Sequence, residues 1–295
     1  MSGVRQIFFT GKGGVGKSTV ALLAGKYLTL QGQHVLISSL DPAHNTGDIL
    51  GIELTSEPVA ISERLTVQEI SISAYLERYF SKLEAQDDFF DQFLSDEFDR
   101  RMLKYSPGME EFAMLTAYYE IIQSQFSYDC FIWDMPSTAL ALRFFQFPDV
   151  SLFWLEKLLA MRRQISQKRK ELGLGDAKDP IYESLISQYG YYDGLRRKLT
   201  DESKAAIYII VNDDNLSRLE GARLKKSLLG SGIENFNFIM NRAGANSKEW
   251  VDDKTGRLFK GYALPASKEA LHGKNLDSYI EANSRYFELL LTPNQ

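Results

Sequence analysis

Between residues 11 and 18 the chain reads Gly11-Lys12-Gly13-Gly14-Val15-Gly16-Lys17-Ser18, four glycines and two lysines in eight positions. A segment so poor in apolar side chains cannot build a core, but it joins two that can. Before it lies the short β-prone run Gln6–Thr10. After it comes Thr19–Leu30, with Val20, Leu23, Ala24, Tyr27 and Leu28 near helical spacing. The pattern GxxxxGK[ST] between strand and helix has a physical use. Glycines let the backbone curl with its N–H groups pointing inward, and the helix N-terminus adds partial positive charge, so such a loop holds phosphate. Gly11, Gly13, Gly14, Val15, Gly16 and Thr19 belong to the wrapping segment. Lys17 is placed to meet the outer phosphates, and the Ser18 hydroxyl to bind Mg²⁺.

The rest of the chain alternates between strand and helix. Gly32 closes the first helix and His34–Ser39 returns to strand. Cys130–Trp133, Ala206–Val211 and Phe236–Met240 are short, nearly all apolar and bordered by polar or glycine residues, as suits buried parallel strands. Leu216–Leu229 reads as a helix between two of them. The alternation predicts an α/β fold, a mostly parallel doubly wound sheet, in one domain over 1–295. Two long stretches exceed the pattern and are read as helical insertions on one edge of the sheet, at about 71–126 and 151–204. The first breaks around Ala85–Asp88 and at Ser106-Pro107-Gly108, the second at Leu172–Gly175 and Pro180. No repeat or low-complexity tract is present.

Composition narrows the functional classes. With 34 Lys plus Arg against 39 Asp plus Glu, the net charge of −5 argues against a general electrostatic grip on nucleic acid. The single cysteine, Cys130, excludes a disulfide framework, a CxxC pair and a thiolate cluster. No run approaches a membrane span, and Ile7-Phe8-Phe9 is too short for a signal-peptide core. The expectation is a soluble cytoplasmic protein. His34, His44 and His272 show no metal-ligand spacing.

Lys12 gives the loop a second lysine, KGGVGKS, and here the chain resembles the deviant Walker A ATPases. Leu40-Asp41-Pro42-Ala43-His44-Asn45 closely resembles the DPAHN switch of the arsenite-pump ATPases and the tail-anchored-protein targeting ATPases. Asp134 to Arg143, DMPSTALALR, resembles their DTAPTGHTLR segment, and Arg143 to Pro148 their RFLQLP. Leu216-Ser217 with Glu220 to Leu224 resembles their LS-x-x-E-x-x-R-L helix. Asn241-Arg242 follows a strand, as the adenine-contacting asparagine of these proteins does. The resemblance runs from Ile7 to about Pro265.

What it implies is a P-loop NTPase fold and Mg²⁺-dependent ATP hydrolysis in a homodimer. Lys12 would reach the nucleotide of a partner subunit. Asp41 would orient the attacking water, as a carboxylate on a switch can once brought in line. Asp134, taken as the end of its strand, would orient Mg²⁺ or its waters. Asn241, with donor and acceptor on one amide, would meet the adenine edge, and Pro265 would help wall the base pocket. No NKxD signature follows a strand, which favours ATP over GTP.

The departures from that family are informative too. Ser137-Thr138-Ala139-Leu140 stands where it has Pro-Thr-Gly-His, so the second switch is altered. With one cysteine, the chain carries neither the zinc-holding CxxC nor an arsenite site, and iron–sulfur chemistry is excluded as well. In the targeting ATPases, helices between the switches hold a client's transmembrane helix. Here Phe89, Phe90, Phe93, Leu94, Phe98, Met102 and Leu103, then Met109, Phe112, Met114 and Leu115, form apolar stripes that suit either such a groove or internal packing. The basic run Met161–Lys170 reads as a solvated helix face, and Leu276–Leu291 lacks a strongly basic amphipathic face. The favoured function is a switch ATPase that handles a hydrophobic client or membrane partner. The alternatives are a partition or positioning ATPase, or an ATP-binding regulator that hydrolyses little.

Overall fold

The computed structural model describes residues 5–43, 45–84, 106–124, 127–172, 179–244, 261–273 and 275–291. His44, the break at Ala85–Asp88, the stripe from Phe89 to Leu103 and Gly173–Gly175 lie outside the described residues.

Eight strands form one sheet: β1 (Arg5–Gly11), β2 (Val35–Ser39), β3 (Val59–Ala60), β4 (Leu65–Glu69), β5 (Cys130–Ser137), β6 (Ala205–Asn212), β7 (Phe236–Ala243) and β8 (Gly261–Pro265). Their order is β3-β4-β2-β5-β1-β6-β7-β8, parallel throughout except for the antiparallel pair β3–β4. The expected α/β architecture is therefore present. β3 and β4 were not foreseen, because Val59-Ala60 is too short to read and Leu65–Glu69 ends on two polar residues that are buried.

Strand period two sorts the core onto two faces. Ile7, Phe9, Cys130, Ile132, Tyr208 and Ile210 face α1 (Lys17–Leu30), α8 (Asn275–Ala282) and α9 (Ser284–Leu291). The segment Leu276–Leu291 spends its apolar side chains here, with Leu276, Ile280, Phe287 and Leu290 buried. Phe8, Phe131, Trp133, Ile207 and Ile209 face the other side, covered by α4 (Met109–Ser124), α5 (Thr138–Glu171), α6 (Pro180–Thr200) and α7 (Asn215–Gly230). Between β2 and α4 lie α2 (Asn45–Leu50) and α3 (Ile72–Glu84).

Both long helical stretches reach the second face of the sheet, through Tyr118 in the first and through Leu195 and Leu199 of α6 in the second. Met114, Tyr118 and Ile121 of α4 and Phe144 and Phe145 of α5 are core residues of the second face. Tyr118 meets Trp133 with ring centroids 5.0 Å apart, and Phe8 meets Phe145 at 5.5 Å, pairs worth about 0.5–1.5 kcal/mol each beyond area burial. Helix α5 runs for 34 residues through Pro148, so residue 151 lies inside it.

Candidate nucleotide site

Four strand ends converge at one edge of the sheet. Gly11 ends β1 and Ser39 ends β2, while Asp134 of β5 is in register with both Ser39 and Phe9. Asn241 pairs with Asn212 near the end of β7. In open parallel sheets the carboxyl ends are where ligands bind, because helix N-termini with unpaired N–H groups meet there. Helix α1 begins at Lys17 with Gly16 as its N-cap, so the glycine-rich loop feeds directly into such a terminus.

Gly16 has a φ of +94°, in the left-handed region. A Cβ there would also come within 2.5 Å of Asn241 Nδ2, so both backbone and space demand glycine. That Nδ2 donates to the Val15 carbonyl at 2.8 Å, which makes Asn241 a strut for the loop. Its Oδ1 accepts from the Arg242 N–H at 3.0 Å, and Arg242 itself takes a φ of +55° where the β7–β8 register shifts. An amide carries two N–H groups and two lone pairs, so one of each remains for a base edge. Pro265 pairs with Ala243 across β8 and β7, and its carbonyl accepts from the Tyr279 hydroxyl at 2.6 Å. The two residues expected near adenine therefore sit at neighbouring strand ends.

The charged groups are brought together as well. Lys17 is buried, with Nζ 3.6 Å from Asp41 Oδ2. Asp41 Oδ1 accepts from the Ala43 N–H at 3.1 Å, an Asx turn that shapes the segment after β2. Asp134 is fully buried, and its Oδ2 accepts from Ser39 Oγ at 3.1 Å and Thr46 Oγ1 at 3.4 Å. Burial pushes its carboxyl up to about 6. The Ser18 hydroxyl and the Lys17 ammonium oppose that rise, Asp41 adds to it, and Ser39 opposes it. Lys12 is half-buried at the loop rim, with no ion pair among the described residues.

The oxygen donors here suit a hard cation. Asp134 Oδ1 is buried without a hydrogen-bond partner among the described residues, and the buried Ser18 is close enough to act on the same carboxylate. No group of three or more His, Cys, Asp or Glu residues able to hold a metal occurs among the described residues. Mg²⁺ does not require one, since it is commonly held by one carboxylate, a hydroxyl, waters and substrate phosphates.

Three neighbours of the site escaped the reading of the sequence. Ser39 and Thr46 both touch Asp134, and Glu69 holds the start of α2. Their signal was a polar residue at the end of a buried strand, or one residue past a switch motif. One boundary also differs, because β5 continues past Asp134 to Ser137, and α5 begins at once with Thr138. No loop intervenes where the resembling family has a glycine, and Ala139 is simply helical. Beyond the switch, Arg143 Nε lies 2.7 Å from Glu111 Oε1, a buried carboxylate on α4.

Helix α5 carries one further feature. From Val150 through Trp154, Leu158, Met161 and Ile165, an apolar row repeats at helical spacing, and every member is exposed, Trp154 by 61%. Residues 161–170 face solvent apart from the half-buried Arg162 and Ser166, as a solvated basic face should. No helix among the described residues is long and apolar enough to cross a membrane.

Comparison with known proteins gives consistent results. A family model described as anion-transporting ATPase matches residues 4–254. A protein of Aquifex aeolicus named as an arsenical pump-driving ATPase is 29% identical over 256 residues, covering 81% of this chain and 63% of its own length. An ATPase ASNA1 homolog of Cryptosporidium parvum is 25% identical over 282 residues, covering 91% of this chain and 75% of its own. ATPase get3 of Schizosaccharomyces japonicus is 25% identical over 248 residues, covering 81% and 74%. The chain thus spans less than two thirds of the Aquifex relative's length.

Proposed function

The chain belongs to the anion-transporting ATPase family, and from that premise we propose that it is a Mg²⁺-dependent switch ATPase that couples the nucleotide cycle to an apolar client. The observation that carries the reading is helix α5. It begins at Thr138, directly after the strand that bears Asp134, and carries the exposed Trp154, Leu158, Met161 and Ile165 between about 24 and 40 Å along its length. One helix therefore links the sheet edge that bears the phosphate loop to an uncovered apolar row. Pro148, between the two, removes one backbone hydrogen bond of the helix and marks the point where it can bend as a shift passes along it.

In this reading the backbone of Gly11–Thr19 wraps the phosphates and Lys17 exchanges Asp41 for them. Asp41, released from the lysine, orients the attacking water. Ser18 and Asp134 would hold Mg²⁺, whose charge offsets that of the phosphate oxygens. Asn241 and Pro265 border the adenine. Lys12, half-buried and without a carboxylate partner among the described residues, suits charge neutralisation across a homodimer formed face to face on the phosphate loops. The place of action is the cytoplasm. The relatives named as pump-driving and get3 ATPases support handling of a membrane-destined or membrane-bound partner.

The test is reciprocal coupling. A labelled peptide of about 20 apolar residues is titrated onto the protein with Mg·ATP and without nucleotide, and ATP turnover is measured with and without peptide. The expected result is a severalfold difference in peptide affinity and a matching change in turnover. Peptide binding that ignores nucleotide sinks the client reading. Tight ATP binding with no turnover under any condition leaves a nucleotide-binding regulator instead.

A further inference from the structure

The segment carrying Asp41 is strapped at both ends, and the two straps differ in kind. Upstream, Asp41 is held by Lys17 and by a 3.4 Å bond from its own N–H to Ser39 Oγ. These partners belong to the phosphate and metal site, so that strap is surrendered when nucleotide arrives. Downstream, the Thr46 and Gly47 N–H groups each donate to Glu69 Oε1 at 2.9 Å. Thr46 is buried, and its hydroxyl points at Asp134 Oδ2, 3.4 Å away.

Glu69 is well placed to serve as a fixed anchor. It is buried, ends β4, and its own N–H donates to the Thr55 carbonyl at 2.9 Å. The next residue, Ile70, donates to the Ser39 carbonyl at 2.8 Å, tying the end of β4 to the end of β2. Gly47 is itself fixed as glycine, because a Cβ there would fall 2.8 Å from the Ile52 carbonyl oxygen. A carboxylate on the first N–H groups of a helix is also favoured by their partial positive charge.

We propose that Glu69 is the positioning residue of the first switch: it holds Thr46 and Gly47 in place while Asp41–Ala43 move, so that Asp41 swings toward the attacking water against a fixed downstream anchor. Thr46 carries this constraint onto the Asp134 carboxylate. Neither residue touches substrate. The assignment rests on the water-orienting role given above to Asp41, and an Asp41→Asn control separates the two. If that variant turns over normally the Asp41 reading fails, while amide exchange still reports on the anchor.

The experiment compares Glu69→Ala, Glu69→Gln and Glu69→Asp with wild type. The readouts are ATP affinity, kcat, and hydrogen exchange of the peptide covering residues 40–50. Glutamine keeps the oxygen that accepts both N–H groups; alanine does not. In Glu69→Ala the expected outcome is ATP affinity within about threefold, kcat at least tenfold lower, and exchange at least tenfold faster over residues 45–48. Glu69→Gln should restore most of both. Wild-type exchange and turnover in Glu69→Ala would overturn the proposal, as would a glutamine variant as impaired as alanine. If Glu69→Ala fails to fold, Glu69→Asp decides, because its carboxylate is drawn back by one methylene from the two N–H groups: a severalfold lower kcat with faster exchange over residues 45–48 at unchanged ATP affinity supports the anchor, and wild-type kcat and exchange refute it.

Discussion

Lys17 Nζ and Asp41 Oδ2 lie 3.6 Å apart, so the buried lysine of the glycine-rich loop and the carboxylate that follows β2 satisfy one another. In the proposed mechanism a phosphate competes for the same ammonium group and frees the carboxylate, which would make binding and switch release one event. Under the proposed mechanism, Asp41→Asn removes that competitor together with the water-orienting carboxylate. ATP affinity is expected to stay the same or rise a few-fold, while kcat falls by about 10²-fold or more. Equilibrium binding of a fluorescent ATP analogue beside phosphate release measures both. A variant that hydrolyses at the wild-type rate removes Asp41 from the mechanism.

Gly16 is constrained twice, by a φ of +94° and by the 2.5 Å that a Cβ would leave to Asn241 Nδ2. Gly16→Ala should therefore cost about 1–2 kcal/mol from backbone strain alone, with the steric conflict in addition. Asn241→Ala relieves the conflict but not the strain. The double variant is expected to be more stable than the sum of the single effects, read from urea unfolding, and still impaired in ATP binding. Strict additivity would mean that the two residues do not press on each other.

Burial raises the Asp134 carboxyl to about 6, against an ordinary value near 3.8. The sign follows from linkage. The folded state holds this proton more tightly than the unfolded chain, so its contribution to stability is fully present below about pH 4 and is lost as pH rises through about 6. Asp134→Asn removes the cost of the buried charge. In metal- and nucleotide-free protein it should be more stable than wild type at pH 7.5, by at most a few kcal/mol, and show no advantage near pH 4. Thermal melts across that range provide the check; equal Tm values at every pH would contradict the assignment of the shift to burial.

Much of this site was legible in the sequence because its parts are local. The loop from Gly11 to Ser18 is contiguous, Asp41 follows the apolar strand β2, and Asp134 comes directly after the apolar run Cys130–Trp133 within β5. The core strands read correctly for the same reason. Glu69 and Thr46 were not legible because their significance is a meeting of β4 with α2, 22–23 residues apart in the chain. Where the helical stretches pack was not legible for a similar reason. Hydrophobic period announces that α4 and α5 are amphipathic, but not which sheet face receives Tyr118 and Phe144. The exposed row on α5 could not be told from a core stripe by spacing, since the two have the same period.

Glu111 is buried on α4 and its carboxylate is met by Arg143, itself more than half exposed, at 2.7 Å. The pair ties α5 to α4, its neighbour on the same face of the sheet. Arg143→Ala leaves the carboxylate without its cation, at a cost of about 1–2 kcal/mol after allowance for solvent around the arginine. Glu111→Gln in the same chain should recover part of that loss. Denaturant unfolding of the two single variants and the double one gives the coupling. A coupling near zero would make the contact incidental.

The row Val150, Trp154, Leu158, Met161 and Ile165 gives the client reading its sharpest test. Each of these side chains is at least 42% exposed, so replacing one with a charge removes little packing in the free protein. Trp154→Glu with Met161→Glu should shift stability by no more than about 0.5 kcal/mol per site and leave ATP affinity unchanged. Against an apolar helix the arithmetic reverses. Burying one such side chain contributes about 1.5–3 kcal/mol, so losing two should weaken peptide capture by at least 10²-fold. The same substitutions on the polar side of α5, at Gln164 and Gln167, form the control and should leave capture intact. Fluorescence anisotropy of a labelled apolar peptide reads the difference. If the double glutamate variant still captures the peptide at wild-type affinity, this face of α5 is not the client surface, and the long helix has to be explained some other way.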